Sequence, residues 1–239
     1  MILTFATPSY HHWLKMLMRS FHKSNPNRKM KVYLMDWTDE EANQYKSSQH
    51  LEFARIPGDF FTNTDKFEAL MRLKLSLILF EVLITKRPVI WTDADSLILK
   101  NLNPIYELLN DYDVLVTSRP QKPKDRVKVA AGVMGFSARQ KAIDILARAA
   151  LDSWLYEKGW YSDQHCLYAV LSAEAKVEVL KNAIEKLQND TLVGRLGDLH
   201  HPFTDEEHSL HQNKDAIILS HHGNGFDDMV KIYNDYMRV

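Results

Sequence analysis

The chain has 239 residues, 45% of them hydrophobic and 26% charged, and a formal net charge of -1. That length allows one large α/β domain or two small ones, with a core that needs no staples. The near-zero charge gives no sign of bulk binding to nucleic acid or to an anionic membrane, and the lone cysteine, Cys166, excludes an intramolecular disulfide framework and favours a reducing, cytoplasmic setting.

The N-terminus lacks the basic and long apolar regions of a signal peptide and reads as a strand, Ile2–Ala6, closed by the turn Thr7-Pro8-Ser9. His11–His22 reads as a helix with Trp13, Leu14, Leu17, Met18 and Phe21 on one face. Lys31–Met35 is a second strand, Asp39–Ser47 a short helix and Leu51–Ile56 a third strand. Lys66–Thr85 is a long helix. Its most apolar run, Leu75–Ile84, is too short between Lys74, Glu81 and Lys86 to span a bilayer and reads as buried. Pro88–Thr92 and Tyr112–Thr117 are further strands. The second half offers a glycine-bearing strand at Val129–Ser137, helices at Arg139–Lys158 and Asp163–Ala173, and a weaker strand at Val177–Leu180. After these come a long loop at Leu192–Gln212, a strand at Ala216–Ser220 and a terminal helix at Asp227–Met237.

Strands alternating with helices predict an α/β fold: a mostly parallel central sheet with helices on both faces. No linker-like stretch divides the chain, so a single domain, 1–239, is expected.

Chemistry concentrates first at Asp93-Ala94-Asp95. Aspartate is a poor strand residue, yet two follow the apolar run Val89-Ile90-Trp91. Alternate strand residues share a face, and two carboxylates there repel unless a cation lies between them. Mg²⁺ or Mn²⁺ held together with substrate phosphate suits such a pair; a solvated, capping loop start is the other reading. Ser220-His221-His222-Gly223-Asn224-Gly225 offers an imidazole ligand and a glycine backbone open to phosphate, or a plain surface turn. Asp163-Gln164 opens a helix, either as a cap or over a sugar. Lys66, Arg72 and Lys74 lie on the helix before the acidic pair, and one facing a cleft would offset diphosphate charge. Tyr10, at the end of the first strand, could stack on a base.

Taken in order, these pieces resemble the GT-A-fold glycosyltransferases that use nucleotide-diphospho-sugars, of the glycogenin and galactosyltransferase type. Lys74, then Val89-Ile90-Trp91-Thr92-Asp93-Ala94-Asp95, then Asn103-Pro104 look like that family's helix, strand, metal motif and following proline. Ala131-Gly132-Val133-Met134-Gly135-Phe136 is similar to its N-x-G strand, although Ala130 stands in place of the asparagine. Trp154 followed by Trp160-Tyr161-Ser162-Asp163-Gln164 looks like its W…DQ element.

The resemblance implies a single Rossmann-like GT-A domain, with 1–117 holding the nucleotide and 118–239 facing the acceptor. It implies Mn²⁺ or Mg²⁺ on Asp93 and Asp95, with Asp93 also on the ribose. His222, spaced from Gly225 as in the family's H-x-x-G turn, would be the third ligand in preference to His221. The lysine and tryptophan expected after that turn are replaced by Phe226-Asp227-Asp228. Ala6, Thr7 and Tyr10 would hold the base and ribose. Arg72, Lys74, Ala94, Gly132 and Gly225 would line the rest of the donor site, and Asp163 and Gln164 would act at the reacting centre.

The implied activity is transfer of a sugar from a nucleotide-diphosphate donor, UDP by default, to a glycan or other hydroxyl acceptor, with retention. No transmembrane segment and no nucleic-acid partner are expected. Two rivals remain. One is a haloacid-dehalogenase-like phosphohydrolase with Asp93 as phosphoryl acceptor; against it, strand–helix–strand sequence precedes the acidic pair. The other is a nucleotide-sugar-binding protein without catalysis.

Overall fold

The computed structural model describes residues 1–58, 66–118, 129–155, 161–174, 184–186, 192–195, 200–203, 216–221 and 226–238. The described elements, in chain order, are β1 (Ile2–Ala6), α1 (His11–Ser24), β2 (Met30–Met35), α2 (Asp39–Ala42), β3 (Leu51–Ile56), α3 (Lys66–Thr85), β4 (Val89–Thr92), β5 (Ser96–Ile98), α4 (Asn103–Asp111), β6 (Val114–Ser118), β7 (Val129–Phe136), α5 (Gln140–Leu155), α6 (Ser162–Glu174), β8 (Ile184–Lys186), β9 (Leu192–Arg195), β10 (His200–Phe203), β11 (Ile218–His221) and α7 (Phe226–Arg238). They form two compact units. One comprises Met1–Pro57, Thr92–Pro104 and Gly197–Val239; the other comprises Gly58–Trp91 and Ile105–Leu196.

In the first unit β3, β2 and β1 lie side by side in that order, all parallel. β1 and β2 are buried almost throughout, as strands covered on both faces must be. Helix α1 buries Leu14, Met16, Leu17 and Phe21. Met16 takes the core position expected of Met18, which is only half-buried. A capping box starts α2, with the Thr38 hydroxyl accepting from Glu41 N–H and the Glu41 carboxylate accepting from Thr38 N–H. α2 ends at Ala42, short of the expected Ser47, and Tyr45 beyond it packs on Trp37 and Phe53. A second, three-stranded sheet runs β10-β11-β5, with β10 parallel and β5 antiparallel to β11. Behind it Met16, Leu97, Leu99, Leu219, Met229 and Ile232 form one core cluster.

In the second unit the strand order is β4-β7-β6-β9-β8. β6 runs antiparallel to β7 and parallel to β9, and β8 is antiparallel to β9. Helices α3, α5 and α6 pack on one another. α3 buries Leu75, Leu77, Ile78 and Val82 as expected, but Phe80, Leu83 and Ile84 at its end are exposed.

Five described elements correct the sequence reading. The stretch Leu192–Gln212, expected as loop, contains β9 and β10, whose pairing with β6 and β11 overrides a composition rich in His, Gly and Asp. β5, α4 and β8 were not anticipated. The strand expected at Val177–Leu180 lies outside the described residues.

Close approach of β6 and β7 explains one glycine. Gly135 is the register partner of Leu115, and a Cβ added to it would meet the Leu115 Cβ at 3.2 Å and the Leu109 Cδ2 at 3.3 Å. Gly135→Val is expected to lower stability by about 1–3 kcal/mol in urea unfolding, by overpacking this spot; an unchanged midpoint would show that the strands can part.

Candidate functional site

The acidic pair belongs to the first unit. β4 ends at Thr92; Asp93 and Asp95 are half-buried around a buried Ala94, and β5 begins at Ser96. The segment that follows is fixed by side chains of α1. Ser20 Oγ accepts from Ile98 N–H at 3.1 Å and Ser24 Oγ donates to Ile98 O at 2.9 Å. Asn25 accepts from Leu102 N–H at 2.9 Å and donates to Lys100 O at 3.1 Å. Serines are indifferent helix formers, and here they satisfy backbone groups that a strand edge leaves open. On its other side β5 pairs with β11, where Ser96 Oγ and Ser220 Oγ share a buried hydrogen bond of 2.9 Å. Asp95 and His221 are the next residues on the two strands beyond that pair. His222 and Gly225 lie outside the described residues.

Two carboxylates flanking a tight turn are the hard oxygen donors that Mg²⁺ or Mn²⁺ takes, so the residues present fit such a cation bound with phosphate. Among the described residues no group of three or more His, Cys, Asp and Glu comes together. The expected third ligand is one of the undescribed residues.

The carboxyl ends of the parallel strands form the other part of this unit, the place where ligands bind in open α/β sheets. Ala6 is buried; Thr7 and Tyr10 are half-buried, and the Thr7 and Ser9 hydroxyls bond at 2.8 Å. The structure adds residues that sequence reasoning missed. Trp37, just past β2, donates from Nε1 to Ala6 O at 2.8 Å. His11 Nδ1 and Tyr45 OH bond at 2.7 Å, and both rings pack on Trp37. Burial pushes the Tyr45 pKa up to about 12, so its hydroxyl stays protonated. Burial, then the nearby charges of Lys15 and His12, lower the His11 pKa. A tryptophan two residues past a strand's carboxyl end was the available signal.

In the second unit the expected catalytic residues meet an expected donor-site lysine. Asp163, at the first turn of α6, is fully buried, and its carboxylate takes Lys74 Nζ at 2.8 Å; Lys74 itself is 2% exposed. The ammonium also lies 5.7 Å from the Trp91 ring centroid and 3.5 Å from Ala131 O. Asp163 Oδ1 accepts from Gln164 N–H at 2.8 Å, where a helix N-terminus favours negative charge. Gln164 Oε1 and Ser162 Oγ are buried without a hydrogen-bond partner among the described residues. Arg72 is buried, pairs with Glu68 one turn earlier and faces the Trp154 ring at 5.8 Å. Gly132 is buried within β7. The Lys74 charge is thus directed at Asp163.

The structure is similar to that of the glycosyltransferase GlyE of Streptococcus pneumoniae TIGR4, with a TM-score of 0.58 and 14% identity over 99% of this chain and 62% of that one. It is similar to the galactosyltransferase LgtC in complex with donor and acceptor sugar analogs, with a TM-score of 0.55 and 11% identity over 98% of this chain and 95% of that one. An active-site Gln→Glu variant of LgtC gives a TM-score of 0.56 at 11% identity, with 98% and 95% covered. This chain therefore spans about three fifths of the length of GlyE. No family model and no curated protein matches the sequence. The fold expected from the resemblance, GT-A, is the fold found.

Two outcomes test this geometry. Lys74→Met leaves the Asp163 charge buried and unpaired, which is expected to cost about 3–5 kcal/mol in urea unfolding; the double variant Lys74→Met/Asp163→Leu should regain most of it, and an additive double variant would mean that the pair does not couple. For His11, the unfolded imidazole takes up a proton near its ordinary pKa while the folded one resists. Its contribution is therefore complete above that value and lost as pH falls through it. Melting curves between about pH 8 and pH 5.5 should fall less steeply for His11→Gln than for the wild-type chain; parallel curves would exclude the residue.

Proposed function

We propose that this chain is a metal-dependent glycosyltransferase that moves a sugar from a nucleotide-diphosphate donor, UDP by default, to a hydroxyl of a glycan or other acceptor, with retention. The observation that carries it is the pair Asp93 and Asp95, half-buried at the carboxyl end of β4 in a fold shared with solved glycosyltransferases. The whole chain serves as one catalytic domain, with 1–117 toward the nucleotide and 118–239 toward the acceptor. Its buried Cys166 suits a reducing, cytoplasmic compartment. No described helix is long and apolar enough to cross a membrane.

Mn²⁺ or Mg²⁺, held by Asp93 and Asp95 with His222 as third ligand, would offset the charge of the leaving diphosphate. Asp93 also takes the ribose. Ala6, Thr7 and Tyr10 hold the base and ribose, with Trp37 fixing the backbone at Ala6 through its indole N–H. Arg72 is engaged by Glu68 and Trp154, and Ala94, Gly132 and Gly225 let backbone approach the donor. Lys74 acts through Asp163: the buried ammonium fixes the direction of that carboxylate. A carboxylate so held is suited to accept hydrogen bonds from sugar hydroxyls and so to orient them. Gln164, with its buried Oε1 open, faces the same task at the reacting centre. In LgtC, too, a glutamine belongs to the active site. A retaining outcome needs no base to activate the acceptor from the opposite face, in keeping with an Asp163 engaged by Lys74.

Asp95→Ala should retain the wild-type melting temperature and lose roughly a hundredfold or more of metal-dependent donor turnover. A thermal-shift panel of nucleotide-sugars should show stabilisation by one of them only with Mn²⁺ or Mg²⁺ present. Full activity of Asp95→Ala, or in EDTA, or a flat panel, would overturn the reading. Binding without transfer to any acceptor would leave a nucleotide-sugar binder.

A further inference from the structure

The second unit carries a concentrated apolar surface. Phe80, Leu83 and Ile84 of α3 and Leu151, Trp154 and Leu155 of α5 are 38–61% exposed, and they are six of the eight large exposed apolar side chains among the described residues. In each helix the three are spaced i, i+3, i+4, so each set shares a face. The two helices pack together, and Trp154 Nε1 donates to Ser76 Oγ at 3.1 Å, one turn before Phe80 on the same row of α3. Soluble surfaces scatter such residues singly; a concentration marks an interaction site.

The charges beside it point to its occupant. Lys86 and Arg87 are exposed two and three residues after Ile84, and Arg148 is exposed one turn before Leu151. No acidic side chain of α3 is exposed, since Glu81 is 2% accessible and Glu68 is half-buried and paired with Arg72. On α5 the exposed Asp144, which accepts from Gln140, and the half-buried Asp152 balance the exposed Lys141 and Arg148, so the positive excess lies at Lys86 and Arg87. Lys86 has a left-handed φ of 51°, which ends α3 through its N–H to Val82 O at 2.9 Å. Glycine is the residue suited to that position, and a lysine there is strained.

We propose that this face docks on an anionic membrane surface, with the six apolar side chains entering the interface and Lys86 and Arg87 meeting lipid phosphates. Aromatic and aliphatic groups beside basic ones are the composition of such interfacial contacts. The overall charge of -1 conceals this local polarity. The contact places the chain on the membrane without crossing it.

Co-sedimentation of the full chain with vesicles tests it apart from any enzymatic activity. The chain is expected to bind phosphatidylcholine vesicles containing phosphatidylglycerol, and to bind pure phosphatidylcholine far less. Lys86→Gly/Arg87→Ser should weaken that binding roughly tenfold or more, while the glycine leaves the melting temperature equal or higher. Phe80→Ser/Ile84→Ser, both at exposed positions, should weaken it with the fold retained. Absence of binding to either vesicle, or variants that bind like wild type, would overturn the proposal. So would a dimer in light scattering that Phe80→Ser dissolves, because a second copy would then cover the face.

Discussion

A buried charge must be paired where it lies, and in this chain that requirement falls on the ammonium of Lys74. Four elements of the second unit converge on it. α3 delivers it, α6 answers with Asp163, β7 offers the Ala131 carbonyl, and β4 presents the Trp91 ring. Breaking the ion pair from either side costs more than its formation gains, because the remaining charge has no water to retreat to. The pair thereby fixes how α6 starts, and with it the direction of Gln164, the next residue on that first turn. A catalytic group is useful only when its own support leaves it no choice of position.

The first unit solves a different problem, that of a strand only three residues long. β5 is too short to hold its place by pairing alone, and it follows directly on two carboxylates that repel each other. Ser20, Ser24 and Asn25 of α1 answer the backbone groups of residues 98–102 that β11 leaves open. Polar residues on the inner face of an otherwise amphipathic helix thus read as support for the turn ahead of them. They are as specific to their place as the leucines beside them.

Apolar periodicity made much of this legible. β1, β3 and α3 begin and end where their sequence patterns do, because strong runs bounded by Pro, Asn or charge leave little alternative. The acidic pair was legible because aspartate after an apolar strand has few cheap explanations. What failed was tertiary. β5 looked like a continuation of apolar sequence, and only its pairing with β11 makes it a strand. β10 carries two histidines and a proline, poor strand residues that the β11 ladder accepts. His11, Trp37 and Tyr45 come from three separate segments, so no local pattern announces their contact. The pairing of Lys74 with Asp163 spans 89 positions (163 minus 74) and has no signature in either neighbourhood. Helical periodicity could place Lys74 on a face of α3, but not choose between a phosphate and a carboxylate as its partner.

The first unit is also discontinuous in the chain, and this has a consequence for synthesis. Its three stretches begin at Met1, Thr92 and Gly197. As the polypeptide leaves the ribosome, α1 and β5 emerge well before β11 and α7, which supply the other side of β5 and much of the core behind it. Until then a growing chain holds Asp93 and Asp95 just ahead of an edge strand supported from one side. Domains generally fold as units during translation, and unpaired edges are the exposed part of an incomplete one. The acidic turn therefore gains its full support only once β11 and α7 have emerged, so a product released before them would carry the carboxylates without the framework that gives them a fixed geometry.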